Sequence, residues 1–245
     1  MSAVLVIAGV DSSGGAGLTR DVRVLADLAT DTVCAVTAVT AQSDSRVAAV
    51  HHVPPEIIRT QIAAAFESRS IGAVKIGMLG NRATVEAVVE SLRPRETVPV
   101  VLDPVLVASS GGILLDEEGR EALVARLLPC VTLVTPNVPE LAALLGEKPA
   151  AGESPLVGQA LRLLTLGPEA VRLKGGHATG AEAVDWLVCG NRSVRRIASA
   201  RIPATLRGTG CALASAIAAG LASGAALADS CERAKRYVTL MLQRA

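Results

Sequence analysis

The sequence predicts an α/β fold with a central, mainly parallel sheet flanked by helices, and three observations point to it. Short apolar, β-branched runs alternate with helix-period segments from residue 3 almost to the C-terminus. Several of these runs are continuously apolar, as in strands covered on both faces. Polar or glycine residues follow directly on most of them, the layout that open parallel sheets use for ligand sites beyond the strand ends. The 245 residues contain no linker, no low-complexity tail and no internal repeat, so one domain over 1–245 is expected.

In order, residues 3–8 form the first strand, 9–17 a glycine-rich loop, and a helix follows through Val22, Leu25 and Leu28. Arg20 stands where a dinucleotide fingerprint needs its third glycine, and no GxxxxGK[ST] run occurs, which excludes both nucleotide loops. Residues 33–41 make a strand ending in Gln42, and 48–53 a short edge strand with His51 and His52 on the surface. Pro54 and Pro55 open a helix through Ile58, Ile62 and Phe66, because proline is tolerated in a first turn. Strand 73–76 leads to Met78, and a helix covers about 82–92. Strand 98–102 delivers Asp103, and a helix is expected over 117–127. Strand 131–134 leads to Asn137 and Glu140, with a helix to Leu145 and a polar stretch over 147–154. A helix over 155–166 and a strand over 170–173 then deliver Lys174-Gly175-Gly176-His177. A hairpin spans 185–197 around Gly190-Asn191, and an amphipathic helix covers 227–243.

Composition removes several function classes. A formal net charge of +1 supplies no field for nucleic acid or an acidic membrane. One Trp, one Tyr and one Phe leave almost nothing on which bases could stack. The five cysteines lack C-x-x-C spacing and read as reduced thiols of a cytoplasmic protein, neither a disulfide frame nor a zinc site. Residues 1–10 have no basic leader and read as a strand, not a signal peptide. The Ala-, Gly- and Ser-rich segment 212–228 reads as a tightly packed soluble helix and turn, not a membrane span.

Arg207-Gly208-Thr209-Gly210-Cys211 precedes that alanine-rich helix. Two glycines allow a tight turn whose N–H groups converge, and the helix dipole adds positive charge, so Gly208, Thr209 and Gly210 are expected to hold a phosphate. The same position should lower the pKa of Cys211. The plain alternative is a glycine-rich helix start with a small buried cysteine. Asp11, Gln42, Met78, Asp103, Asn137 with Glu140, and Lys174 each arrive at the same sheet edge. Singly they have ordinary readings, Asp103 as a turn residue and Asn137 or Glu140 as helix caps. Together they suit phosphoryl transfer, which needs charge stabilisation more than covalent chemistry. Asn137 and Glu140 would hold Mg2+ through waters. Lys174, freed by the Gly175-Gly176 turn, would reach a triphosphate, and the 12–17 loop would close around the acceptor.

The sequence resembles the hydroxymethylpyrimidine/phosphomethylpyrimidine kinases of thiamin biosynthesis, within the ribokinase-like superfamily. The matching pieces, in family order, are IAGVDSSGGAG from Ile7, TAVTAQ from Thr37, KIGML from Lys75, VLDPV from Val101, TPNVPE from Thr135, LKGGH from Leu173 and GTGC from Gly208. The resemblance implies a three-layer ribokinase-like domain that uses ATP and Mg2+ to phosphorylate 4-amino-5-hydroxymethyl-2-methylpyrimidine and then its monophosphate. It implies a pyrimidine pocket of Gln42, Gly9, Asp11, Ala16, Met78 and Val105. It makes Cys211, Lys174 and Asp21 catalytic, and puts Asp103 and Lys235 with Gly208, Thr209, Gly210 and Lys174 on the nucleotide and phosphate side. Related sugar kinases carry Asp where this chain has Cys211. A fixed carboxylate there would repel an anionic acceptor, which a thiol does not.

Leu206-Arg207 replaces the family's usual Thr-His, and Ser43 its usual Asn after the glutamine. Arg207 is left either as an added phosphate contact or as a solvent-facing side chain. The alternatives kept open are a pyridoxal or pyridoxine kinase on the same scaffold, and a weakly catalytic pyrimidine-binding or regulatory homologue. The expected partner is the small-molecule pyrimidine, with no nucleic acid and no membrane, and an alanine-rich surface on the late helices suggests a homodimer.

Overall fold

In the computed structural model, which describes residues 2–95, 97–175 and 180–245, the N-terminal apolar run becomes β1 (Ala3–Asp11). It extends three residues past the predicted strand, so Asp11 ends β1 instead of following it. β1 pairs in parallel with β2 (Thr32–Gln42) on one side and β4 (Ile71–Ile76) on the other. The parallel run continues through β5 (Val100–Leu102), β6 (Leu133–Val134) and β7 (Ala170–Lys174). Both edges are antiparallel. β3 (Val47–His52) pairs with β2, and the hairpin of β8 (Glu182–Cys189) and β9 (Val194–Ala200) adds to β7.

The sheet order is β3-β2-β1-β4-β5-β6-β7-β8-β9. From β1 the chain first builds outward on one side, then crosses to β4 and builds on the other. At such a switch point the connections diverge and leave a crevice at the carboxyl ends of the strands.

Side chains of β1 alternate between two cores, as the period of a strand requires. Leu5 and Ile7 meet α2 (Pro55–Ser68), α3 (Arg82–Leu92), α4 (Glu117–Ala122), α5 (Val138–Leu145) and α6 (Glu153–Leu164). Val4, Val6 and Ala8 meet α1 (Gly17–Asp27), α7 (Thr209–Ala222) and α8 (Leu227–Gln243). The result is the expected α/β three-layer arrangement. The predicted helix over 117–127 is present as α4 continued by a wider turn over Leu123–Leu127. α6 begins at Glu153, inside the stretch expected to be a polar surface loop.

Two expectations are corrected. α1 turns Asp21, Val24 and Leu25 inward, while Val22 and Leu28 are each 37% exposed, so its buried stripe lies one position from the apolar pattern. α7 is buried continuously from residue 211 to 219. Alanine lets that helix lie close to the sheet and between α1 and α8, so the alanine-rich face expected to join two copies is interior. Among the described residues no helix is long and apolar enough to cross a membrane.

Candidate active site

A cavity of about 830 Å3 opens at the carboxyl ends of the parallel strands. Asp11, Gln42, Met78, Asp103, Asn137 with Glu140, and Lys174 all line it, as the sequence layout anticipates. Gly9, Ala16 and Val105 join them, and Lys235 comes in from α8. Residues 208–211 form the wall at the start of α7.

The loop before α7 depends on two glycines for different reasons. Gly208 has φ +75, the left-handed region, and a Cβ there would lie 2.5 Å from the Gly15 carbonyl oxygen. The early and late glycine loops therefore touch backbone to backbone. At Gly210 a Cβ would sit 3.2 Å from Lys174 Nζ and 3.4 Å from an Asp103 oxygen. The missing side chain is what lets an ammonium rest against the helix start. No side chain caps α7, so its leading amides keep their anion-binding capacity.

Lys174 Nζ donates to Asp103 Oδ1 at 2.8 Å and lies 3.5 Å from Glu140 Oε2. Burial would favour the neutral amine, but Asp103 and Glu140 outweigh it and hold the Lys174 pKa above its ordinary value. Asp103 ionises more easily than usual despite burial, because Lys174 and Lys75 face it and the Thr135 hydroxyl donates to it. Asp103, expected on the phosphate side, lies beside Gly210, 2% exposed, as counterion to the lysine. Of the expected Gly175-Gly176 turn, Gly175 donates its N–H to Asp185 Oδ1, and Gly176 and His177 lie outside the described residues.

Asn137 and Glu140 form a reciprocal cap on α5. Asn137 Oδ1 accepts from the Glu140 amide at 2.8 Å, and Glu140 Oε2 accepts from the Asn137 amide at 2.7 Å. Burial raises the Glu140 pKa, with Lys174 pulling it back. Among the described residues no group of three or more His, Cys, Asp or Glu could cage a metal. One cavity carboxylate beside an amide oxygen does fit Mg2+, which keeps several waters and is usually held by one or two carboxylates together with substrate phosphates.

Asp21, expected to be catalytic, lies outside the cavity lining and is fully buried. It accepts from Lys75 Nζ at 2.7 Å and from the Ser215 hydroxyl at 2.8 Å. Lys75 is also fully buried but does line the cavity. Burial opposes its charge, yet Asp21, Cys211 and Asp103 together raise its pKa. The Cys211 thiol is pushed up to about 12, chiefly by burial. This corrects the expected lowering, since desolvation of the thiolate exceeds what Lys75 and a backbone bond from Gly17 return.

Also in the lining, Gln42 ends β2 with its side-chain oxygen 3.3 Å from the Thr40 hydroxyl. A Cβ at Gly9 would strike Met78 Sδ at 2.8 Å, so backbone forms that part of the floor. The Asp11 carboxylate accepts from Ser13 N at 2.9 Å, Ser13 Oγ at 2.8 Å and Ala16 N at 3.0 Å. It shapes the glycine loop. Of the two readings left open for Arg207, the solvent-facing one is corrected: the side chain is 16% exposed, and its guanidinium donates to Asp11, Asp44 and Ser13. Lys235 pairs with Asp185 at 3.1 Å, and burial pulls its pKa down.

Lys75, Ser215 and the buried pair of Arg172 with Asp185, 2.8 Å apart, fall outside the strand-end pattern. Lys75 and Arg172 each carried a signal, a lone charge inside an apolar strand, which must find a buried partner.

A cleft of this shape, amides at one end and a fixed ammonium beside them, handles anionic groups; fold and site together define the ribokinase-like small-molecule kinases. The model of the phosphomethylpyrimidine kinase family matches residues 11–245, and the chain belongs to that family, a family of phosphotransferases. It is 41% identical over 234 residues to the hydroxymethylpyrimidine/phosphomethylpyrimidine kinase of Rhizobium meliloti, covering 96% of this chain and 88% of that one. The crystal structure of phosphomethylpyrimidine kinase from Clostridium difficile superposes with a TM-score of 0.86 at 36% identity, covering 98% and 99% of the two chains. An ADP complex of Bacillus subtilis pyridoxal kinase gives 0.88 at 30% identity, covering 98% and 90%.

Proposed function

We propose that this chain, acting as one domain in the cytoplasm, transfers phosphate from MgATP to the hydroxymethyl group of 4-amino-5-hydroxymethyl-2-methylpyrimidine, and then to the resulting monophosphate, in thiamin biosynthesis. The observation that carries the reading is the shared cavity: Gln42 and Met78 line it together with Gly208, Thr209, Gly210 and Cys211, and Lys174 rests between Gly210 and Asp103. Family membership supplies the acceptor class.

In this reading Gln42 matches the polar edge of the pyrimidine, and Gly9, Ala16, Met78 and Val105 enclose its ring. Asp11 holds the loop beside it. The Gly208, Thr209 and Gly210 amides receive the migrating phosphoryl group, and Lys174 stabilises its developing charge. Asp103 positions Lys174, Asp21 positions Lys75 beneath Cys211, and Lys235 serves the nucleotide side. Asn137 and Glu140 would hold the magnesium ion through waters, and the bound ion neutralises charge on the phosphate oxygens.

Cys211 acts as a neutral group. With its thiol pushed up to about 12 it is no base near neutral pH, and it is not a fixed anion either. In a loose transition state the acceptor oxygen needs little activation, so the hydroxyl proton can pass to an oxygen of the migrating phosphoryl group as the new O–P bond forms and the bond to the β-phosphate oxygen breaks, its electron pair leaving with ADP. An anionic phosphate acceptor meets no carboxylate at this position.

The test is a panel of pyrimidine alcohol, pyrimidine monophosphate and pyridoxal, each with ATP and Mg2+, read by product mass and kcat/KM. Mono- and then diphosphate should form, with the pyrimidine alcohol preferred to pyridoxal. No transfer to either pyrimidine acceptor would overturn the reading, and a preference for pyridoxal would reassign the acceptor.

A further inference from the structure

We propose that Arg207 is the subsite for the acceptor's own phosphate in the second transfer, exchanging its grip on Asp44 for that phosphate. The inference rests on the kinase reading above and deepens it. Arg207 stands immediately before Gly208 and lines the cavity, with Nη1 close over Gly15. It therefore sits where the early glycine loop meets the amides that receive the phosphoryl group.

Its partners are unequal. Asp11 is 5% exposed and also bound by Ser13 and Ala16, so its bond to Nη2 at 3.0 Å is fixed. Asp44 is 89% exposed, in the turn between β2 and β3, and pairs with Nη1 at 2.7 Å. An exposed carboxylate has water to return to, so this contact is readily exchanged. The third nitrogen, Nε, is buried and makes no hydrogen bond among the described residues. An unmet guanidinium donor in a buried setting is costly and calls for an acceptor. A phosphate fits here as a charge-assisted acceptor at Nη1, in the place Asp44 leaves.

Charge explains why the second acceptor depends on this residue. The alcohol is neutral and asks nothing of Arg207. The monophosphate is anionic and would approach Asp11 and Asp44, both of which repel it. Arg207 supplies the opposing charge. In the transfer a terminal oxygen of the acceptor phosphate bonds to the γ-phosphorus, the bond from that phosphorus to the β-phosphate oxygen breaks, and its electron pair leaves with ADP.

The experiment compares wild type, Arg207→Gln and Asp44→Asn by the ratio of kcat/KM for monophosphate over alcohol, with calorimetry of both acceptors. Arg207→Gln should lower the ratio about tenfold and weaken monophosphate binding about tenfold relative to alcohol binding. Asp44→Asn should raise the ratio, because it frees the same guanidinium. A merely structural bridge is broken equally by both variants and would move the ratio the same way in each, or not at all; either result overturns the proposal. Arg207→Lys, which keeps a point charge, should fall between wild type and Arg207→Gln. Should wild type phosphorylate neither acceptor, the kinase reading fails, and calorimetry with the monophosphate still decides the subsite.

Discussion

Lys174 Nζ and the Asp103 carboxylate lie 2.8 Å apart although 71 positions separate them in the chain. The pair ties the end of β7 to the end of β5 across β6 and keeps a half-buried ammonium charged. In Asp103→Asn the largest opposing influence on Lys174 is gone and burial pulls its pKa down. Lys174 then loses its proton at lower pH than in the parent. The alkaline limb of the kcat profile should shift to lower pH, with kcat at neutrality down at least tenfold. A pH–rate profile whose alkaline limb stays in place would refute this role for Asp103.

Gly210 separates activity from stability. In Gly210→Ala the added methyl would sit 3.2 Å from Lys174 Nζ and forces that side chain to shift. Alanine in a helix also gains up to about 1 kcal/mol over glycine. The variant should unfold in urea no earlier than wild type, yet its kcat should fall about tenfold or more, since small displacements at a reacting centre are expensive.

The Lys75–Asp21 pair lies wholly inside the protein. Removing one member strands the other, so Lys75→Met should cost about 3–5 kcal/mol of unfolding free energy. Combining it with Asp21→Leu should return part of that loss, since no uncompensated charge remains. Urea titrations of the single and double variants measure the coupling directly.

Cys211 should resist alkylation at pH 8 in the native enzyme, whereas exposed Cys130 reacts. Its native pKa lies above that of an unfolded thiol, so the folded state gains from keeping the proton. That gain is complete below about 9 and is lost as pH rises toward about 12. Replacement by alanine should flatten the fall in stability across this alkaline window, with pyrimidine affinity nearly retained. Peptide mapping after iodoacetamide treatment and urea melts at several pH values provide the readouts.

Much of the site was legible because strands advertise their ends: an apolar run stops and a polar residue follows. Gln42, Asp103, Asn137 and Lys174 all surfaced that way, and α3, α5 and α8 end where their periodicity ends. What stayed hidden depends on tertiary partners. The role of Asp21 is set by Lys75, 54 residues later, and by Ser215, 194 residues away. The helix position of Cys211 was readable, but the burial that reverses its pKa comes from the fold around it. Arg207 could not be placed from sequence because its carboxylates sit in the first 44 residues.

The most direct test of the central claim is amide NMR of 15N-labelled protein on adding a nonhydrolysable MgATP analogue together with the pyrimidine alcohol. The largest shifts are expected at Gly208, Thr209, Gly210 and Cys211, with Gln42 responding to the pyrimidine alone. Saturating ligands that leave those four amides unmoved would mean that the start of α7 does not hold the phosphoryl group.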